Sequence, residues 1–285
     1  GLTVMKTLTE ACKPREDVLS GRLPDSIYVA DLTRVRDSAA PSVYQNPSEF
    51  FRNTYPTEGL KTTIREVFSR LAGQEGSPVI KLETSLGGGK THSLIALYHI
   101  AQGGSTTPGA SEYTAGMSFP SVRTAIIVGS ELGVARRPGE PLTVWGHLAK
   151  ELRGNEGYEL VRAADEQMSS PGERTIRELL GNDRSLILID EMALYLAKAA
   201  TVTVGDSDLA RQTAVFLQEL SNVASSLSNV VVVITSLDKE SVFREGTELM
   251  TSYLNDEAKI TRGKDAISDA EKVLSRVVRT LTPTK

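Results

Sequence analysis

Three consecutive glycines followed by a lysine and a hydroxyl residue, Gly87-Gly88-Gly89-Lys90-Thr91, make the densest chemical signal in the sequence. Glycines in succession let backbone N–H groups converge on one anion without side chains in the way. The lysine adds a positive charge, and the threonine adds a hydroxyl able to ligate a hard cation. The chemistry this suits is a grip on a phosphate chain. Ser85, Leu86, Gly87, Gly88, Gly89, Lys90 and Thr91 would line it, Lys90 reaching the outer phosphates and Thr91 ligating Mg²⁺. The pattern G-x-x-x-x-G-K-[ST] is met except at its first position, where Thr84 replaces the glycine that eases the tight turn. The alternative is a glycine-rich turn with an incidental lysine.

A second signal is Leu186-Ile187-Leu188-Ile189-Asp190-Glu191. A buried strand that ends in two carboxylates delivers them to the carboxyl edge of a sheet. There Asp190 would hold the metal, directly or through water, and Glu191 would act as general base on an attacking water. A base for water favours hydrolysis over transfer to a small acceptor. The competing reading is a strand that leaves into a solvated acidic turn. Thr235-Ser236 ends a further apolar run, Val230 to Ile234; Thr235 either senses the terminal phosphate or is an ordinary strand end. Arg276 precedes a short run expected to form the last strand. It is either a finger that reaches a neighbouring subunit's phosphate or a surface arginine.

These groups need a scaffold that brings separate segments to one edge. Val79–Leu82, Thr124–Val128, Ser185–Ile189 and Val230–Thr235 are short, continuously apolar runs with the character of buried strands. Between them lie helical patterns. One is capped by Thr57 and carries Leu60, Ile64, Val67, Phe68 and Leu71, with Gly73 at its end. Another passes through Leu94 and Leu97. A third is capped by Asp206 or Ser207 and carries Leu209 to Leu227. Strands alternating with helices predict an α/β fold with a mainly parallel sheet covered on both faces. Gly103–Ser121 reads as a long mobile loop, and Lys198–Gly205 as a loop or small hairpin.

Composition sets the outer limits. With 285 residues, one large domain or two modest ones fit, and 40% apolar with 24% charged residues excludes a chain disordered throughout. One cysteine, Cys12, excludes an intrachain disulfide and suits a reducing compartment; with three dispersed histidines it argues against a zinc site. The 32 basic and 36 acidic residues give −4, so no strongly basic nucleic-acid footprint is present overall, although a local patch fits within that total. Arg136-Arg137 is the one local hint of such a patch. The longest apolar run is far short of a membrane helix and no signal peptide is seen, so a cytoplasmic protein is expected. Gly1 to Val4, ahead of Met5, resembles an expression remnant or a processed start.

The order of the strands, the Asp-Glu pair and the polar strand end resemble the AAA+ class of P-loop ATPases, with its three-layer αβα core. The chain is more specifically similar to a prokaryotic family of large predicted ATPases, kin of the PglY protein of BREX phage-defence systems. The blocks that carry the likeness are Glu49-Phe50-Phe51, Thr54-Tyr55-Pro56-Thr57, Gly87 to His92, Tyr98-His99, Val144 to Ala149, Gly157-Tyr158 and Ile189-Asp190-Glu191. The resemblance implies ATP as ligand, hydrolysis with Mg²⁺, His92 within the nucleotide-binding segment, and Tyr55 and Thr57 near the adenine. It also implies a larger protein that acts beside DNA-modifying defence proteins, with DNA and homo-oligomer contacts, and a helical lid that the sequence up to Lys285 lacks. Residues 1–45 are expected to form an arm and 46–285 the ATPase core. Trp145 and Tyr158 are expected to be packing residues. The competing function is a nucleotide-dependent protein-interaction switch with little turnover; a small-molecule kinase is a further alternative.

Overall fold

The computed structural model describes residues 31–83, 89–235, 237, 257–277 and 279–281. Its strands are β1 (Val79–Leu82), β2 (Arg123–Val128), β3 (Ser185–Asp190), β4 (Thr203–Val204), β5 (Ser207–Asp208), β6 (Val230–Thr235) and β7 (Arg279–Leu281). Its helices are α1 (Leu32–Arg36), α2 (Ser42–Gln45), α3 (Pro47–Arg52), α4 (Glu58–Leu71), α5 (Gly89–Gly103), α6 (Ser111–Thr114), α7 (Val144–Glu166), α8 (Glu173–Leu180), α9 (Met192–Ala199), α10 (Leu209–Ser226) and α11 (Glu257–Val277).

Five strands form one sheet in the order β2-β3-β6-β1-β7, and every neighbouring pair is parallel. All six residues of β3 and of β6 are buried. That is why these runs are continuously apolar rather than alternating: each face of the sheet meets a helical layer. Ile80, Leu82, Leu186, Leu188, Val231 and Val233 pack on one side with α4 and α5. Val79, Ile187, Ile189, Val230, Val232 and Ile234 pack on the other with α7, α9, α10 and α11. The class is α/β, as the alternation of strand and helix predicts.

The direction of travel decides which helix lies on which face. From β1 the chain crosses to β2 at the far edge by way of α5. It then returns through β3 and β6 and passes β1 to reach β7, with α7, α9, α10 and α11 on the opposite face. A crossover of constant hand must change face when it changes direction. Adjacent β1 and β6 therefore send their chains to opposite sides, and a crevice opens at their carboxyl ends.

β2 is an edge strand, and its exposed backbone is partly covered. The Ile126 amide donates to Glu151 Oε1 at 3.3 Å, and Arg36 of α1 pairs with the same oxygen at 2.9 Å. Leu32, Val35, Val43 and Tyr44 are buried in the α4–α5 layer, so residues 31–45 share the core with the residues after 46. Residues 1–30, the rest of the expected arm, lie outside the described residues.

α7 doubles back on itself. Arg153 and Gly154 leave helical geometry, Gly154 at φ 58°, and the second half returns beside the first. Gly146 and Gly157 permit the approach: a Cβ on Gly146 would lie 2.1 Å from Asp165 Oδ1, and one on Gly157 would lie 2.5 Å from the Ala149 carbonyl. Fully buried Asp165 closes the turn. It accepts from the Leu142 and Thr143 amides at 3.1 and 3.0 Å, from the Thr143 hydroxyl, and from the Tyr158 hydroxyl at 2.6 Å. Trp145 packs on Phe216 in the core, and Tyr158 packs partly buried against the same core, both as expected; Tyr158 also donates to Asp165. Burial and the Asp165 carboxylate push its hydroxyl up to about 12, so the proton stays on Tyr158.

Three local expectations change. Residues 103–121 are not an open loop but a 3-10 turn (Gly104–Thr106), helix α6 and a buried return. Phe119 stacks on Phe68 at 5.0 Å, while Ser105 and Phe119 exchange hydrogen bonds that satisfy backbone groups turned away from water. The segment after α9 is a hairpin of β4 and β5, one of its two expected forms, but the α10 cap is Asp208, the last residue of β5, which accepts from the Arg211 amide at 2.9 Å. The run expected as the last strand is shared: Arg276 and Val277 belong to α11, whose buried Ala266, Ile267, Ala270 and Leu274 carry the helical period, and β7 starts at Arg279. Replacing Phe119 by Ala should cost about 3 kcal/mol in urea denaturation followed by circular dichroism, and should raise the rate of proteolytic cleavage within residues 103–121.

Candidate functional site

The carboxyl edge of the sheet gathers residues from two strands and one helix. β3 ends in Asp190, only 3% exposed, and β6 ends in fully buried Thr235. The Thr235 hydroxyl donates to Asp190 Oδ1 at 2.8 Å, and the Glu191 amide donates to the same oxygen at 2.9 Å. β1 leads to α5, whose second residue, Lys90, places Nζ 3.7 Å from that oxygen. β6 lies between β1 and β3, so these two strands are roughly 10 Å apart. The lysine therefore reaches across one strand to meet the carboxylate.

Glu191 sits at the turn from β3 into α9 with left-handed backbone, φ 54° and ψ 36°. A β-carbon makes that conformation costly, and the surrounding structure must hold it. Gly129, just after β2, is part of that hold. Its amide donates to the Asp190 carbonyl at 2.8 Å, and a Cβ there would lie 1.9 Å from the Glu191 carbonyl oxygen. Only glycine fits such an approach. Lys198, buried near the end of α9, donates to the Leu132 carbonyl at 2.7 Å and ties the same post-β2 loop to this edge. Burial lowers the pKa of Lys198, and the negative charge of Glu191 opposes that shift.

The remaining expected residues fall as follows. Thr84, Ser85, Leu86, Gly87, Gly88 and Ser236 lie outside the described residues. Gly89 is buried at the start of α5; half-buried Thr91 makes no hydrogen bond through its hydroxyl among the described residues. Thr57 caps α4, accepting from the Leu60 amide at 3.1 Å, and Tyr55 is about half exposed in the preceding turn. Arg276 is in the last turn of α11; its side chain lies outside the described residues.

His92 is buried inside the layer rather than open to the crevice. Its ring stacks on Phe50 at 4.5 Å, and Nε2 lies 2.8 Å from Thr54 Oγ1. The Thr54 hydroxyl has one proton, given to the Phe50 carbonyl at 2.6 Å, so His92 must donate to Thr54 from Nε2. This contact fastens the turn carrying Tyr55 to the first turn of α5. His99, one helical stretch further on, donates to the Tyr44 carbonyl at 2.6 Å.

A divalent cation's donor set can be judged from these side chains. Among the described residues no three His, Cys, Asp or Glu side chains cluster as a cage. Asp190 and Thr91 suit Mg²⁺, which is commonly held by one or two protein oxygens together with substrate phosphates and water. Gly129, Lys198 and Asp165 were not legible as functional or structural keys. Each acts through a partner more than thirty residues away, except Asp165, whose partners lie just over one helix away.

The chain belongs to the DUF499 N-terminal domain family, whose model matches residues 5–277. No curated protein and no solved structure matches it. Among the described residues no helix is long and apolar enough to cross a membrane.

The buried histidine carries a pH prediction. Burial, and secondarily the charge of His99, lowers His92 from 6.5 to about 3. The unfolded chain thus binds a proton between those values that the folded chain refuses. Stability is complete above about pH 6.5 and falls as pH drops toward 3, by about 1.4 kcal/mol per pH unit for this group. Urea midpoints at pH 7.5, 5.5 and 4.5 should drop accordingly, and the drop should be smaller in His92→Gln.

Proposed function

We propose that this DUF499 N-terminal domain is an ATP-binding and Mg²⁺-dependent ATP-hydrolysing module of the AAA+ P-loop type. Its hydrolysis would drive conformational change in a larger phage-defence or DNA-processing protein. One observation carries the reading: Lys90, from the glycine-rich β1–α5 junction, faces Asp190 of β3, which also accepts from Thr235 of β6, at the crevice between β1 and β6. The insertion of β6 between β1 and β3 further supports it, because it sets the end of β1 roughly 10 Å from the end of β3, a span that a terminal phosphate and a water would bridge.

Catalysis of this kind rests on position and electrostatics, with little covalent chemistry by the protein. Backbone amides of Gly87 to Gly89 and the first turn of α5 would receive the phosphate oxygens. Lys90 would leave Asp190 for the outer phosphates. When bound with the nucleotide, Mg²⁺ would neutralise charge that develops on those phosphates, with Thr91 and Asp190 as the protein oxygens that hold it. Glu191 would orient water and accept its proton as phosphate is released from ADP. Thr235, hydrogen-bonded to Asp190 Oδ1, would keep the metal-binding carboxylate at a constant angle. Tyr55, in the turn tied to α5 by Thr54 and His92, would lie beside the adenine.

In Lys90→Ala, calorimetric titration of ATP should show an affinity loss of about a hundredfold or more; wild-type affinity would overturn the phosphate-loop assignment. In Glu191→Gln, ATP binding should persist while steady-state phosphate release falls by about a hundredfold or more. Unchanged turnover in that variant would remove the base assignment. Nucleotide binding in the parent protein with no phosphate release would favour the switch reading.

A further inference from the structure

The loop that begins at Gly129 and the α7 hairpin enclose a cavity of about 600 Å³ on the side of the molecule served by Asp165. That size is within the roughly 300–1,000 Å³ typical of small-molecule sites. Its charge is unusual for a chain with net −4. Arg136 and Arg137 line it and are exposed, and neither makes an ion pair or hydrogen bond through its guanidinium among the described residues. Lys150 lines the opposite wall, with only the Gly139 carbonyl, at 3.3 Å, as partner. Of the acidic groups, Asp165 is saturated by its four hydrogen-bond donors, and Glu166 faces Arg162 at 3.7 Å. Glu140 is the one carboxylate of the lining that lacks such a partner among the described residues. Neutral donors satisfy Asp165 without cancelling its charge, so with the Arg162–Glu166 pair set aside three cations face two carboxylates, Glu140 at the surface and buried Asp165.

The walls are preorganised. Asp165 pins Leu142 and Thr143, the end of the loop, to the returning half of α7, while Lys198 pins Leu132 near its start. The two arginines are carried between two fixed points. Cations on a fixed frame lose less entropy when they close on a ligand, and planar guanidinium forks match phosphate oxygens two at a time.

We propose that this cavity binds a phosphate ester of about nucleotide size, with Arg136, Arg137 and Lys150 on its phosphate oxygens. The site is separate from the phosphate loop and does not depend on the assignment made there. Both a free nucleotide and the phosphate of a single-stranded nucleic acid present this chemistry.

The test uses the full 285-residue chain carrying Lys90→Ala, so that a nucleotide at the β1–α5 junction contributes little. Adenosine 5′-monophosphate and a short single-stranded oligonucleotide are titrated separately by calorimetry. At least one should bind, and Arg136→Ala with Arg137→Ala should weaken it by about tenfold or more. Glu140→Gln should tighten binding, since it removes the exposed carboxylate that opposes the three cations; a purely structural role for the loop would not produce that. Melting temperatures should stay close to the parent, because the replaced side chains are exposed and unpaired. Tighter binding of the oligonucleotide than of the mononucleotide, with a steeper salt dependence, identifies the strand as the source; equal or weaker binding identifies the free nucleotide. No binding of either probe at millimolar concentration overturns the proposal, as does affinity indifferent to the arginine pair and to Glu140.

Discussion

One carboxylate oxygen organises the carboxyl edge of this sheet. Asp190 Oδ1 is almost wholly withdrawn from water, yet it receives the Thr235 hydroxyl and the Glu191 amide and faces the Lys90 ammonium. A buried carboxylate left alone would be costly, and these partners compensate for its lost hydration. In meeting that need they also align β3, β6 and the first turn of α5. Thr235 is drawn to β3, Glu191 is held in a left-handed turn, and Lys90 is stretched across β6. The geometry that the proposed phosphate chemistry would use and the geometry required by burial coincide at one atom.

The next layer keeps that atom still. Gly129 lets the chain after β2 lie directly on the Glu191 backbone, and Lys198 secures the same loop three residues later. The loop then runs out to Arg136 and Arg137 before Asp165 catches it again. A single stretch of chain therefore touches the acidic edge at one end and the basic cavity along the rest. Two regions of opposite charge share a mechanical support. On the other face, His92 and Thr54 fasten the first turn of α5 to the turn before α4.

How much could be read in advance follows from how local each signal is. β1 and β6 match their expected boundaries at both ends because a fully buried parallel strand is a continuous apolar run in any context. Thr57 was legible as a cap because its partner, the Leu60 amide, is three residues away. Residues 103–121 misled because glycine, serine and threonine are equally at home in open loops and in compact turns whose polar groups bond to each other. The stacking of Phe119 on Phe68 and the Ser105–Phe119 hydrogen bonds distinguish the two cases, and both depend on the folded chain. Helix α11 went unassigned because its apolar face is built on alanine and single large residues, a weak pattern until α9 and α10 cover it.

The sequence by itself determined the chemical types available and the order in which the chain presents them. Glycines precede a lysine and a threonine, an apolar strand ends in Asp-Glu, and another ends in threonine. These are local patterns, and local sterics and burial are enough to specify them. The tertiary structure decided which of those groups meet. The insertion of β6 between β1 and β3, the change of face between β1 and its neighbours, and the close approach at Gly129 join residues far apart in the chain. No spacing in the sequence encodes such contacts, because they depend on the packing of every helix laid over the sheet.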